Sequence, residues 1–122
     1  MLDSYTVFFY FSLKENNLKK IPHPRKDDFE LCSVLSALSD PVRLSIVKEL
    51  LGRGECNCSF FCGYSLAKST MSHHFKVLRE SGLIMTTIKG TEYIHSVRKD
   101  ELDSMFPGVL DSVLKSYDKR SK

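Results

Sequence analysis

A disulfide framework is missing from this chain. Four cysteines in 122 residues do not make a disulfide scaffold. Long apolar runs are missing as well. The uncharged stretch Ser4–Leu13 falls short of the roughly 20 apolar residues that a bilayer-spanning helix takes. Asp3 stands where a secretory signal would carry basic residues. These absences argue against secreted and membrane classes, and the expectation is a cytoplasmic protein with reduced thiols and no membrane partner. A large charge excess is lacking too: the formal net charge is +3, a total that says little about partners. What remains is an ordinary globular composition, 42% apolar and 27% charged. The length allows one domain with a modest core, near the size at which a partner subunit often completes it.

Charge distribution says more than the total. Between residues 68 and 99, Lys68, Lys76, Arg79, Lys89, Arg98 and Lys99 oppose only Glu80 and Glu92, so this segment is the candidate for meeting a polyanion. A merely solvated surface would carry the same charges.

Three regions are expected. Residues 1–26 form an N-terminal extension, flexible or strand-like, in which Pro22 and Pro24 keep the backbone out of a helix. Residues 27–118 form the folded domain, and 119–122 a tail. Within the domain, Phe29, Leu31, Val34, Leu35 and Leu38 recur at helical spacing, with Cys32 read as core. In "SDPVRLSIVKELLGRG", Asp40 caps a buried helix, Pro41 fits its first turn, and Gly52 and Gly54 stop it. "GECNCSFFCGY" is expected as a short helix over about 55–62, and a longer helix follows over about 67–81. "LIMTTI" and "EYIHSV", joined by Lys89-Gly90-Thr91, read as a hairpin. A last helix with an apolar stripe at Leu102, Phe106, Val109, Leu110, Val113, Leu114 and Tyr117 is kinked at Pro107.

This order is the layout of a winged helix-turn-helix, mainly α with a small β-hairpin. On the longer helix Met71, Phe75 and Leu78 share one side. Lys68, Ser69, Thr70, Ser72, His73, Lys76 and Arg79 supply the other, with hydroxyls and His73 for close approach and Lys76 and Arg79 for phosphates. Lys89 and Thr91 at the hairpin tip would extend beside it. Adjacent side chains on a helix point about 100° apart, so His74 is expected to turn inward beside Phe75 while His73 stays out. The His73-His74 pair does not suit a zinc finger, which separates its histidines by about three to five residues.

"LSALSDPVRLSIVKELL", "KSTMSHHFKVLRESGLI" and "KGTEYIHSVRKDELDSMFPGVLDSVL" together resemble the arsenic-repressor (ArsR/SmtB) family of bacterial winged-helix regulators. The resemblance runs over about residues 22–115. It implies a homodimer joined through its first and last helices, bound to double-stranded DNA at a pseudo-palindromic operator and released by an effector. One position departs from the family's pattern: Ala67 stands where Ser or Thr usually caps the recognition helix.

The resemblance also bears on the sulfurs. Metal-responsive relatives carry a Cys-x-Cys pair that Cys56 and Cys58 match when counted back from Ser72, with Cys62 one position past the usual third cysteine. That implies a thiolate site for As(III), Sb(III) or another soft metal ion. On a regular helix Cys56 and Cys58 would point about 200° apart, so sharing an ion requires the first turn to open. Thiol oxidation and plain packing remain open beside metal binding. The last helix lacks the histidines of the family's zinc site and offers carboxylates such as Asp100, Asp103 and Asp111. The competing functions are a winged-helix module that binds another protein instead of DNA, and a small thiol enzyme. The enzyme reading has no Cys-x-x-Cys after a strand to support it.

Overall fold

In the computed structural model, residues 21–57 and 67–121 are described, with side chains through Asp118. The aromatic run near the N-terminus, Cys58, Cys62 and Ser65 lie outside the described residues. A 3₁₀ turn at Lys26–Asp28 leads into α1 (Leu31–Leu38), α2 (Pro41–Arg53), β1 (Cys56–Asn57), α3 (Lys68–Glu80), β2 (Ile84–Lys89), β3 (Glu92–Val97), α4 (Lys99–Met105) and α5 (Val109–Ser121). The expected architecture, mainly α with a β-hairpin, is the observed one.

Local chemistry accounts for most boundaries. Asp40 Oδ2 accepts from the Arg43 amide at 3.0 Å, capping α2 with Pro41 in its first turn. Gly54, at φ 87°, ends α2 with its amide on the Leu50 carbonyl. A Schellman motif closes α3: Gly82 N–H bonds Arg79 O, Leu83 N–H bonds Leu78 O, and Gly82 sits at φ 92°. Ile46, Val47, Leu50, Leu78, Leu83 and Ile84, all fully buried, form the centre of the core.

Four expectations are corrected. The stretch expected as a short helix over 55–62 enters as a strand: Cys56 pairs with His95 and Asn57 with Ile94, making a three-stranded antiparallel sheet in the order β1-β3-β2. Links across the sheet outweigh the local pattern here, since Asn57 Nδ2 donates to Glu92 Oε1 at 2.9 Å and Lys89 Nζ to Glu55 Oε1 at 3.2 Å. The first helix begins at Leu31 rather than near Asp27, and its inward side is Val34, Ala37 and Leu38. Cys32, two positions before Val34, points away and is exposed, not core. The kink at Pro107 is a complete break, with Phe106 at φ −133° and Gly108 at φ 80°.

The fourth correction is the boundary at residue 27. Ile21 is buried, the Thr86 amide donates to His23 Nε2 at 2.9 Å, and Arg98 Nη1 donates to the Pro24 carbonyl at 2.8 Å. The domain therefore reaches back at least to Ile21. Among the described residues β2 pairs only with β3, and the His23 ring accepts from the Thr86 amide on its other edge.

Two buried histidines, His74 and His95, and the half-buried His23 make stability depend on pH. His95 is fully buried, with Nδ1 3.0 Å from Thr86 Oγ1 and its ring stacked on Phe75 at 4.3 Å. Burial, and secondarily the Arg79 charge, pushes its pKa down to about 3. Burial also lowers His23, helped by Arg79 and Arg98 against a backbone hydrogen bond at Ile21. His74 is lowered in the same way. The unfolded chain takes up protons near pH 6.5 that the folded chain refuses, so stability is complete above that pH and declines below it. The expected loss from His95 alone between pH 6.5 and 5 is about 2 kcal/mol, read from urea midpoints. Midpoints unchanged over that interval would contradict the burial of these rings.

Candidate nucleic-acid interface

The recognition helix is built as a two-sided element. Met71, His74, Phe75 and Leu78 are buried, anchoring one side of α3 on the core. Lys68, Ser69, Thr70, His73 and Lys76 are exposed on the other. At the wing, a two-residue loop joins β2 and β3 with Lys89 opposite Glu92, Gly90 at φ 64°, and Lys89, Gly90 and Thr91 exposed. The Lys89–Glu55 ion pair is about 60% exposed on both sides. Such pairs contribute little, so Lys89 can exchange Glu55 for a phosphate at small cost.

Two predicted contact residues are placed differently. Arg79 is only 6% exposed. It follows Phe75 by four positions, about 40° around the helix, which puts it over the apolar side. Glu80 takes the exposed position instead. The Arg79 charge is felt by His23 and His95, which lie toward the sheet. Ser72 is half-buried, and its Oγ is enclosed without a hydrogen-bond partner among the described residues.

The basic segment is also thinner at the surface than in the sequence. Arg98 is buried, forked onto Glu101 at 2.8 and 3.0 Å and set 4.7 Å over the Phe29 ring. Lys99 is tied to Asp103 and Asp111. Lys68, Lys76 and Lys89 are the cations left exposed on the reading face and wing.

His74 turns inward as expected, 8% exposed, and meets a residue that the sequence did not single out. Arg43 Nη1 donates to His74 Nδ1 at 3.2 Å. An arginine in the first turn of a helix that is otherwise apolar inside was the available signal.

Ala67 is the N-cap of α3 and makes no side-chain capping bond. Its extended backbone (φ −60°, ψ 148°) already suits a capping residue. Ala67→Ser is expected to raise stability by about 1 kcal/mol, measured as a shift in the thermal midpoint. An unchanged midpoint would mean that the first turn is satisfied in another way.

Cys56 is half-buried on β1, and burial pushes its thiol pKa up. Because Cys56 is in a strand, the unwinding that a helical Cys-x-Cys would require does not apply to it. Among the described residues no cluster of three or more His, Cys, Asp or Glu side chains could hold a metal ion, and none of their helices is long and apolar enough to cross a membrane.

Residues 40–86 match the family model described as bacterial regulatory protein, arsR family. An uncharacterized HTH-type transcriptional regulator of Bacillus subtilis, YceK, is 35% identical over 95 residues, which span 73% of this chain and 91% of that protein. The chain belongs to the arsR family. The arsenical resistance operon repressor of Staphylococcus xylosus is 36% identical over 75 residues, covering 61% of this chain and 71% of the repressor. A crystal structure of an ArsR family transcriptional regulator superposes with a TM-score of 0.54 at 19% identity, over 82% of this chain and 92% of that one, a likeness of fold. As an arsR-family member the chain is a helix-turn-helix transcriptional regulator and not an enzyme, which disposes of the thiol-enzyme reading.

Proposed function

We propose that this arsR-family chain acts in the cytoplasm as a homodimeric repressor. It would hold a pseudo-palindromic operator and release it when a thiol-binding metal(loid) or an oxidant reaches its cysteines. The observation that carries the DNA half is the open side of α3: Lys68, Ser69, Thr70, His73 and Lys76 are exposed while the opposite side is fixed in the core. A hydroxyl- and cation-bearing helix of this kind suits the major groove, and Lys89 on the wing suits the adjacent backbone.

Dimerisation is supported by Leu31 and Leu35 on α1, 41% and 43% exposed. Val113, Leu114 and Tyr117 on α5 are only half-buried. Large apolar side chains left in water on a small domain favour a second subunit. For the effector, the support is the soft donor set, Cys56 with Cys58 and Cys62 in sequence, suited to As(III) or Sb(III). The pairing of Cys56 with His95 would let an event at the sulfurs reach the wing strand.

The test is a gel-shift on the DNA upstream of the protein's own coding region. Selective binding that survives non-specific competitor and falls steeply with salt is expected, with a dimer mass in sedimentation. Failure of duplex DNA to outcompete random DNA overturns the reading in favour of a protein-binding module. Reduced protein on the operator is then challenged separately with As(III), Zn(II), Cd(II) and peroxide. Release by arsenite that vanishes in Cys56→Ser and in Cys58→Ser identifies a metalloid site. Release by peroxide alone identifies a redox switch, and retention against all four leaves the sulfurs as packing.

A further inference from the structure

Three helices meet at one guanidinium. Arg43, in the first turn of α2, donates Nε to the Ala37 carbonyl at 2.7 Å and Nη2 to the Ser36 carbonyl at 3.4 Å. Both acceptors lie in the last turn of α1, and the Ser36 carbonyl also accepts from the Ser39 amide at 3.1 Å and hydroxyl at 2.6 Å. The remaining arm, Nη1, reaches 3.2 Å to His74 Nδ1 on α3. Asp40 Oδ2 holds the Arg43 backbone amide and lies 3.9 Å from the same imidazole nitrogen.

A guanidinium only donates, so His74 Nδ1 has to accept, which makes the ring neutral with its proton on Nε2. We propose that Arg43 is a positioning residue for DNA binding: through neutral His74 it fixes where the reading helix lies relative to α1 and α2, and protonation of His74 undoes that placement. This rests on the DNA-binding reading above. The placement matters because α1 carries the apolar face assigned to dimerisation. The link from α1 through Arg43 to α3 would therefore set the angle at which two reading helices meet successive half-sites.

The charges around the ring are few. Asp40 favours a cation there, whereas Arg43 and the His73 ring, 6.2 Å away, oppose it. α1 contributes carbonyl oxygens at this point. Burial is the largest influence and disfavours the charge. A proton on Nδ1 would turn the acceptor into a donor facing a donor, and one of the two side chains would have to withdraw. Acid should therefore weaken selective binding.

The experiment measures affinity for operator and for random duplex from pH 7.5 to 5.5 at fixed ionic strength, with near-UV circular dichroism to confirm the folded state. Wild type should lose severalfold in the operator-to-random ratio, short of the roughly tenfold that one hydrogen bond to a charged group is worth, because burial disfavours the protonated ring. His74→Asn places a non-titrating acceptor near the Nδ1 position. Whatever its ratio at pH 7.5, this variant should lose the acid dependence. Arg43→Lys, a single ammonium in place of a three-armed donor, should weaken the ratio about tenfold already at pH 7.5. Persistence of the acid loss in His74→Asn overturns the proposal. So does an NMR spectrum at pH 7.5 with the His74 proton on Nδ1, a readout that needs no DNA. Absence of selective binding in wild type would instead overturn the DNA-binding reading itself.

Discussion

Lys76→Glu is expected to weaken selective operator binding about 10²- to 10³-fold. Lys76 is exposed on the open side of α3, where it can approach a phosphate. The substitution removes that attraction and adds a repulsion, and in a homodimer it does so twice. At about 1 kcal/mol for each lost or repulsive contact, the four together are worth roughly 4 kcal/mol. The salt dependence should also flatten, by about one unit of slope for each lysine removed. Lys115→Glu, an equal charge change at an exposed position on α5, is the control and should cost little. Titrations at several salt concentrations separate the outcomes. Equal losses in both variants would mean that net charge, not the face of α3, governs binding.

Gly82→Ala is expected to destabilise the domain by about 2–5 kcal/mol. Gly82 has φ +92°, where a side chain is strained, and its Schellman bonds to Arg79 and Leu78 depend on that conformation. A methyl group there would lie 2.5 Å from Phe29 Cε1. The Phe29 ring is buried beneath the Arg98 guanidinium and cannot move without disturbing that contact. Backbone strain costs about 1–2 kcal/mol, and overpacking adds about 1–3. Urea unfolding measures the sum. Gly90→Ala is the comparison: its φ is also positive, at +64°, but nothing lies within 4 Å of an added Cβ. It should show the strain alone, and a result equal to Gly82→Ala would remove the Phe29 contact from the explanation.

What could be read in advance follows from how local each signal is. The Asp40-Pro41 start and Gly54 stop of α2 act within one helical turn, as does the Gly82 stop of α3, and all lie where the sequence put them. The hairpin from Ile84 to Val97 was equally plain, because alternation and a Gly-containing loop carry its register. Cys56–Asn57 was misread because its structure is decided by partners about 35 to 40 positions away, Glu92 to His95, which no local pattern reveals. Arg79 shows the same limit on a finer scale: counting threes and fours from Lys76 put it outward, whereas 40° of rotation from Phe75 puts it over the core. The link between Arg43 and His74 joins two helices across 31 positions. Only the inward turn of His74 could be anticipated.

Among the described residues, the sheet guards both of its margins in different ways. On one side β1 is two residues long, too brief to template a neighbour. On the other, the His23 ring occupies the free Thr86 amide of β2. A stray extended chain therefore finds little to zip onto. The dimerisation proposed above is thereby steered away from backbone ladders and toward the helical surfaces carrying Leu31 and Leu35.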